Sequence, residues 1–193
     1  WQSSKRITQS LQPFDISFTN LIQSSQEFQD YLDNNPTIKR SFDEQMILGG
    51  GYNFNYSTLH FAGRRTNFMI NQGIELSGNM ANLLMSAQSG SKPDSDNQQK
   101  IFDVPYSQYV RLRNEIRHFW QVGKDHRIGF RTIIGTAIPY GNSATIPYVK
   151  QFFVGGTNSV RAFRARTVGP GSYSPPDSLN SLYVDQSGDI KLE

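Results

Sequence analysis

The sequence predicts an all-β fold, an antiparallel meander, on three observations. Apolar and polar residues alternate with period two over several stretches of ten or so residues. The connections between those stretches alternate in length: long, short, long, short, longest. The two faces so defined differ in kind, one aliphatic and aromatic, the other carrying Arg, Glu, Asn and Gly. This pattern suits part of a transmembrane β-barrel, whose strands show one face to lipid and the other to a wet lumen, with brief turns on one side of the membrane and long loops on the other. A soluble antiparallel sheet with one face on a core produces the same alternation.

The first strand covers residues 5–18, with Phe14, Ile16 and Phe18 on one face, Asp15 and Ser17 on the other, and Pro13 marking an interruption or bulge. A long connection over 20–45 follows, where Ser24 or Ser25 caps a short helix carrying Phe28, Tyr31 and Leu32 before Asn34-Asn35-Pro36 ends it. The second strand, 46–57, turns Tyr52, Phe54 and Tyr56 one way and holds Gly49-Gly50-Gly51, a sign of a bend or of another backbone close by. The third, 67–77, separates Phe68, Ile70, Ile74 and Leu76 from Asn71, Gly73 and Glu75. A second long connection, 78–105, has a polar centre around residues 89–97. The fourth strand, 106–121, is the clearest, because Arg111, Arg113, Glu115 and Arg117 fall in one row on a strand whereas a helix would scatter them. After the tight turn Gly123-Lys124-Asp125 comes the fifth strand, 126–138, then the longest connection, 139–188, and the start of another strand at Ile190.

Composition narrows the function classes. Nineteen basic and sixteen acidic residues leave a net charge of +3 with no Lys/Arg run, which gives no support for nucleic-acid binding. No cysteine is present, so disulfides, zinc thiolates and a cysteine nucleophile are excluded. No apolar run is long enough for a transmembrane helix, an observation neutral towards barrels, whose mean hydropathy stays low. The chain enters a strand at once and stops shortly after beginning another, and it reads as a piece of a longer protein. The three histidines have no metal-ligand spacing, Asp94-Ser95-Asp96-Asn97 lacks the Gly and Glu of a calcium loop, and no Gly-x-Ser-x-Gly elbow occurs. No catalytic residue, metal or cofactor is therefore assigned, and the chain reads as a non-enzyme.

The densest motif is in the longest connection. Gln151-Phe152-Phe153 runs into Gly155-Gly156; Arg161 is held between Val160 and Phe163; Gly169-Pro170-Gly171 closes the segment. No Gly-Lys-Ser/Thr follows the glycines, so this is no phosphate loop. A glycine pair alone reads as a turn. An Arg among apolar residues is drawn inward and needs a partner.

Together, Gly155-Gly156, Val160-Arg161-Ala162-Phe163 and Gly169-Pro170 resemble the sixth extracellular loop of the bacterial surface-antigen superfamily of outer-membrane assembly factors, the BamA/TamA group. The flanking residues 138–143, 151–153 and 185–193 look most like its TamL branch. The resemblance implies a sixteen-stranded barrel behind periplasmic POTRA domains, of which the five strands match the seventh to eleventh, with the twelfth begun. It implies an outer-membrane location and a role in protein insertion or translocation. The partners implied are outer-membrane lipids, nascent outer-membrane proteins and periplasmic or lipoprotein subunits. In such proteins the loop folds into the lumen, and the motif Arg, here Arg161, engages an acidic residue of the wall, with Val160 and Phe163 beside it. Two departures stand out: Ala162 replaces the usual Gly, and the usual acidic partners would lie beyond Glu193, leaving Glu75 and Glu115 as substitute candidates. The first and last barrel strands, between which such barrels open, are outside the chain, so it is expected to lack insertase activity alone. The other readings are a two-partner-secretion-type transport pore and a soluble β-rich binding module. For the Arg111, Arg113, Arg117 and Arg131 group, a solvated lumen wall is the simpler reading, a lipopolysaccharide or substrate contact the sharper one.

Overall fold

The computed structural model describes residues 2–4, 6–20, 24–59, 64–89, 98–102, 104–168 and 187–193. In chain order the strands are β1 (Gln2–Ser4), β2 (Ile7–Thr19), β3 (Gln45–Ser57), β4 (Thr66–Ser77), β5 (Lys100–Ile101), β6 (Val104–Ser107), β7 (Tyr109–Gln121), β8 (Arg127–Pro139), β9 (Phe152–Phe153), β10 (Ser187–Gly188) and β11 (Ile190–Leu192). The helices are α1 (Gln26–Asn34), α2 (Pro36–Phe42) and α3 (Asn79–Ser89). The main sheet runs β1-β2-β3-β4-β7-β8-β11 with antiparallel neighbours throughout, and it does not close on itself. It is an antiparallel meander of the kind that forms part of a β-barrel wall.

Five strands are 12 or 13 residues long. At about 3.3 Å per residue each reaches about 40 Å, enough at a tilt of about 45° to cross a hydrocarbon core of about 30 Å. The register assembles the alternating residues into rows. Tyr52, Ile74, Leu112, Thr136 and Ile190 lie side by side on the outer face; Asn53, Gly73, Arg113, Gly135 and Lys191 do so on the inner face. Large apolar side chains stay exposed on the outer face, among them Ile16, Leu76, Ile116, Phe130, Ile134 and Ile138. A soluble sheet would bury that face. Towards the short-turn end, Phe68, His118 and Phe130 stack across β4, β7 and β8, with ring centroids 4.4 and 6.2 Å apart. Trp120 stands one outward position further along.

At Pro13 the alternation slips. Gln12 pairs with Gly51 but Asp15 with Gly49, so β2 carries one extra residue there. The bulge changes the parity of the strand, which is how Leu11 and Ile16 come to share the outer face while Gln12 and Asp15 both point inward.

The long connections hold more structure than their composition suggests. In the first, Ser25 caps α1 by accepting from the Phe28 N–H at 3.3 Å, and Pro36 starts α2 at once. The second, expected only as a long connection, contains α3 ahead of its polar centre, because Met80, Ala81, Leu83, Leu84 and Met85 place five apolar residues in six positions; most of that polar centre, residues 90–97, is outside the described residues. The expected strand over 106–121 is divided: β6 ends at Ser107 and β7 begins at Tyr109. β6 pairs parallel with β3 through Met46 and Ile47, the part of β3 that overhangs the end of β4 at Ser77. Backbone groups left bare by the shorter β4 are thereby satisfied. Ile47, Tyr109, Ala137, Ile146 and Phe152 form the core, on the inner side at the long-loop end.

Candidate functional site: the inner face and the segment packed on it

The site is the inner face of β4, β7 and β8 together with residues 146–168. A 3-10 turn over Tyr148–Lys150 brings Lys150 onto the sheet. Its ammonium contacts Asp15 at 3.1 Å and Glu75 at 2.5 Å, bridging β2 and β4. Glu75 also accepts from the Tyr109 hydroxyl at 2.8 Å and lies 3.5 Å from Arg111. Next along the segment, Phe152 is buried on Gly135, where a Cβ would stand only 2.6 Å from the ring. The Arg111 guanidinium covers that ring at 4.3 Å, a cation–π contact. β9 pairs with β10, and Lys191 donates to the Phe153 carbonyl at 2.9 Å, so both ends of the longest connection meet beside β8.

From there the segment follows the wall. Lys150 engages the row of Glu75, Arg111 and Ala137; the Asn158 carbonyl accepts from Arg131 at 2.5 Å. Six residues separate positions 137 and 131, so the segment descends about 20 Å along β8. Ser159 fixes the lower part twice, accepting from the Gly155 N–H at 3.1 Å and donating to Glu193 at 2.8 Å.

Glu115 is the electrostatic centre of the wall. Its side chain is 6% exposed and receives Arg113 at 2.8 Å, Arg117 at 2.6 Å and Arg131 at 2.8 Å. Such charge-assisted bonds are short and strong, and three of them compensate for the burial of the carboxylate. The four residues line a cavity of about 660 Å³ whose far side is Thr157, Asn158, Ser159 and Arg161.

The motif residues have distinct positions. Gly155 and Gly156 both have positive φ, +95° and +88°, and a Cβ on Gly155 would meet the Arg164 carbonyl oxygen at 2.2 Å. The Gly156 N–H donates to the Phe163 carbonyl at 2.9 Å, folding Val160-Arg161-Ala162-Phe163 back on the glycine pair. Ala162 is not among the residues with positive φ, so the methyl group that distinguishes it from Gly meets no backbone strain. Val160, Arg161, Ala162 and Phe163 are all exposed. The expectation that Arg161 is drawn inward is therefore not met among the described residues, because the turn folds onto its own glycine pair and not onto the wall. Arg161 donates through Nε to the Thr157 carbonyl at 3.1 Å and, among the described residues, has no ion pair. Both acidic candidates are occupied otherwise: Glu115 by three wall arginines, Glu75 by Lys150, Arg111 and Tyr109. Gly169 and Pro170 lie outside the described residues.

Lys150 and Arg166 are contacts the sequence reading passes over. Arg166, at φ +65°, stacks on Tyr148 at 3.7 Å and Phe153 at 4.7 Å, clasping the segment to itself. The signal for both is the one that singles out Arg161, a lone cation beside aromatic or apolar residues, without a family motif to draw attention to it.

Residues 25–189 match the Omp85 superfamily domain. No solved structure gives a significant match. Proteins of that superfamily are non-enzymatic assembly factors and transporters of the bacterial outer membrane, acting on nascent outer-membrane proteins and alongside other subunits. With the match extending over most of its length, and a sheet whose outer face is apolar and inner face charged, this chain belongs to the Omp85 superfamily.

Proposed function

We propose that the chain is the wall segment of a TamL-like outer-membrane assembly or translocation barrel, in which residues 139–188 are the sixth extracellular loop and residues 150–161 of it fold into the lumen. The observation that carries this reading is the descent of residues 150–161 along the charged face. A loop that only decorated the membrane surface would have no reason to place Phe152 on Gly135 or Asn158 on Arg131. The Lys150 bridge and the Phe152 seat hold its upper part, and Ser159 with Glu193 holds its lower part. Val160-Arg161-Ala162-Phe163 is then presented as a preformed turn. Arg161 faces the cavity with its charge unpaired by any described carboxylate, ready for an acidic residue of barrel wall that follows Glu193. Such a pair, shielded from bulk water, sets the loop's position by geometry more than by net energy.

The test is Arg161→Ala against Arg164→Ala in the intact protein, read as the amount of folded outer-membrane protein delivered to the membrane. Arg161→Ala should lower it severalfold and Arg164→Ala should leave it near wild type. Equal, negligible effects refute the role given to Arg161. The two-partner-secretion-type pore has no observation of its own in its favour.

A further inference from the structure

We infer that α3 and the notch beside it form an interfacial lipid site, in which an acyl chain of the surrounding membrane lies between Met80 and the glycine run of β3. The helix has the wrong surface for water. Asn79–Ser89 contains no charged residue, and Met80, Leu83 and Leu84, at the i, i+3, i+4 spacing of one helical face, are 51%, 73% and 63% exposed. Ala81, on another side of the helix, is fully buried. By contrast, α1 and α2 of the first long connection carry Asp30, Asp33, Lys39 and Arg40, as an aqueous loop requires.

The orientation of α3 is fixed by its first turn. The Gly78 N–H donates to the Leu48 carbonyl at 2.8 Å, and the Asn79 side-chain oxygen accepts from the Tyr140 hydroxyl at 2.7 Å and from Gln108 at 3.3 Å. Met80 is thereby set against a notch of about 280 Å³ on the outer face, lined also by Leu11, Pro13, Gly50, Tyr52 and Leu76. The notch exists because Gly50 points outward without a side chain just where the β2 bulge crosses it, a Cβ there coming within 2.7 Å of the Pro13 carbonyl oxygen.

The occupant follows from continuity. Ile74 and Leu76 belong both to the notch and to the exposed apolar rows of the sheet, and α3 follows directly from the end of β4. Whatever covers those rows also reaches the notch and the helix face. For an outer-membrane superfamily that cover is lipid, and an uncharged helix that continues directly from a lipid-facing strand with an exposed apolar stripe lies against the edge of the same layer. The inference rests on reading the outer face as lipid-facing.

The experiment places a nitroxide spin label on Met80→Cys or Leu83→Cys in the full-length protein, in phosphatidylethanolamine/phosphatidylglycerol nanodiscs. Phe130→Cys serves as reference for the apolar face and Lys124→Cys for water. Oxygen should relax the labels at 80 and 83 more than a water-soluble nickel chelate does, as at 130 but at shallower depth, and the label at 80 should be the less mobile. Relaxation by nickel as at 124 would overturn the site, and so would protection from both reagents, which would mean a protein cover. If the label at 130 also reports water, the lipid-facing reading itself fails; if 130 reports lipid and 83 reports water, only the α3 site fails.

Discussion

The two faces of β4, β7 and β8 are made by the same residues in alternation, yet they are specified differently. On the outer face Ile74, Leu112, Ile116, Ile134 and Ile138 meet no particular partner and need only be apolar. On the inner face the two carboxylates are committed to named neighbours, Glu115 to three arginines and Glu75 to Lys150 and Tyr109, and Gly135 makes room for the Phe152 ring. A medium that offers no hydrogen bonds selects a class of side chain, whereas a charged wall with a segment packed on it selects identities.

The largest difference is expected at Glu115. Glu115→Ala leaves three guanidinium groups crowded on the wall without their carboxylate, at a cost of about 3–5 kcal/mol. Thermal unfolding of the intact protein in detergent should show a large drop in Tm, and an unchanged Tm would mean that solvent already screens the cluster. On the outer face, Ile134→Arg places a charge near mid-strand and should cost about 2–4 kcal/mol, while Ile134→Leu should change little. Equal tolerance of both substitutions would erase the contrast between the faces. Gly135→Val, on the inner face next to Ile134, is predicted to cost about 1–3 kcal/mol by pushing a side chain into the Phe152 ring. Because Gly135 and Ile134 are adjacent in sequence, the pair isolates the face from the strand. Limited proteolysis of residues 150–168 should rise in Gly135→Val and stay unchanged in Ile134→Leu.

The alternation that defines both faces is legible in the sequence because the register of period two runs through Met69–Leu76, Val110–Trp120 and Arg127–Ile138 without a bulge. Polar Gln72 and Asn114 nevertheless stand at outward positions, where they bond to one another at 3.2 Å. Where a single residue breaks the period, as at Pro13, the sequence announces the bulge but not the change of parity, which depends on the Gly49–Gly51 register of the neighbouring strand. α3 and β6 are less legible for a different reason. Five apolar residues within the six positions 80–85 are compatible with strand or helix, and the parallel pairing of β6 arises only because β3 outruns β4. At the site, Gly155, Gly156 and Arg161 stand out by motif, and Glu75 and Glu115 by their place in an inward row. The partners of those carboxylates do not. Which cation reaches Glu75 depends on the path of a segment about 75 residues away, and no spacing in the chain encodes the Lys150 contact.

The central claim is that residues 150–161 run down the inner face. The most direct measurement is cross-linking in the intact protein with a short bismaleimide. The 193 residues contain no cysteine, so introduced pairs report cleanly within this region. Thr157→Cys paired with Asn71→Cys, both lining the arginine cavity, should cross-link efficiently in the membrane. Thr157→Cys paired with Ile116→Cys, which points outward, should not. Cross-linking to neither, with Thr157→Cys freely labelled from the cell exterior, would put the segment outside the barrel and contradict the account.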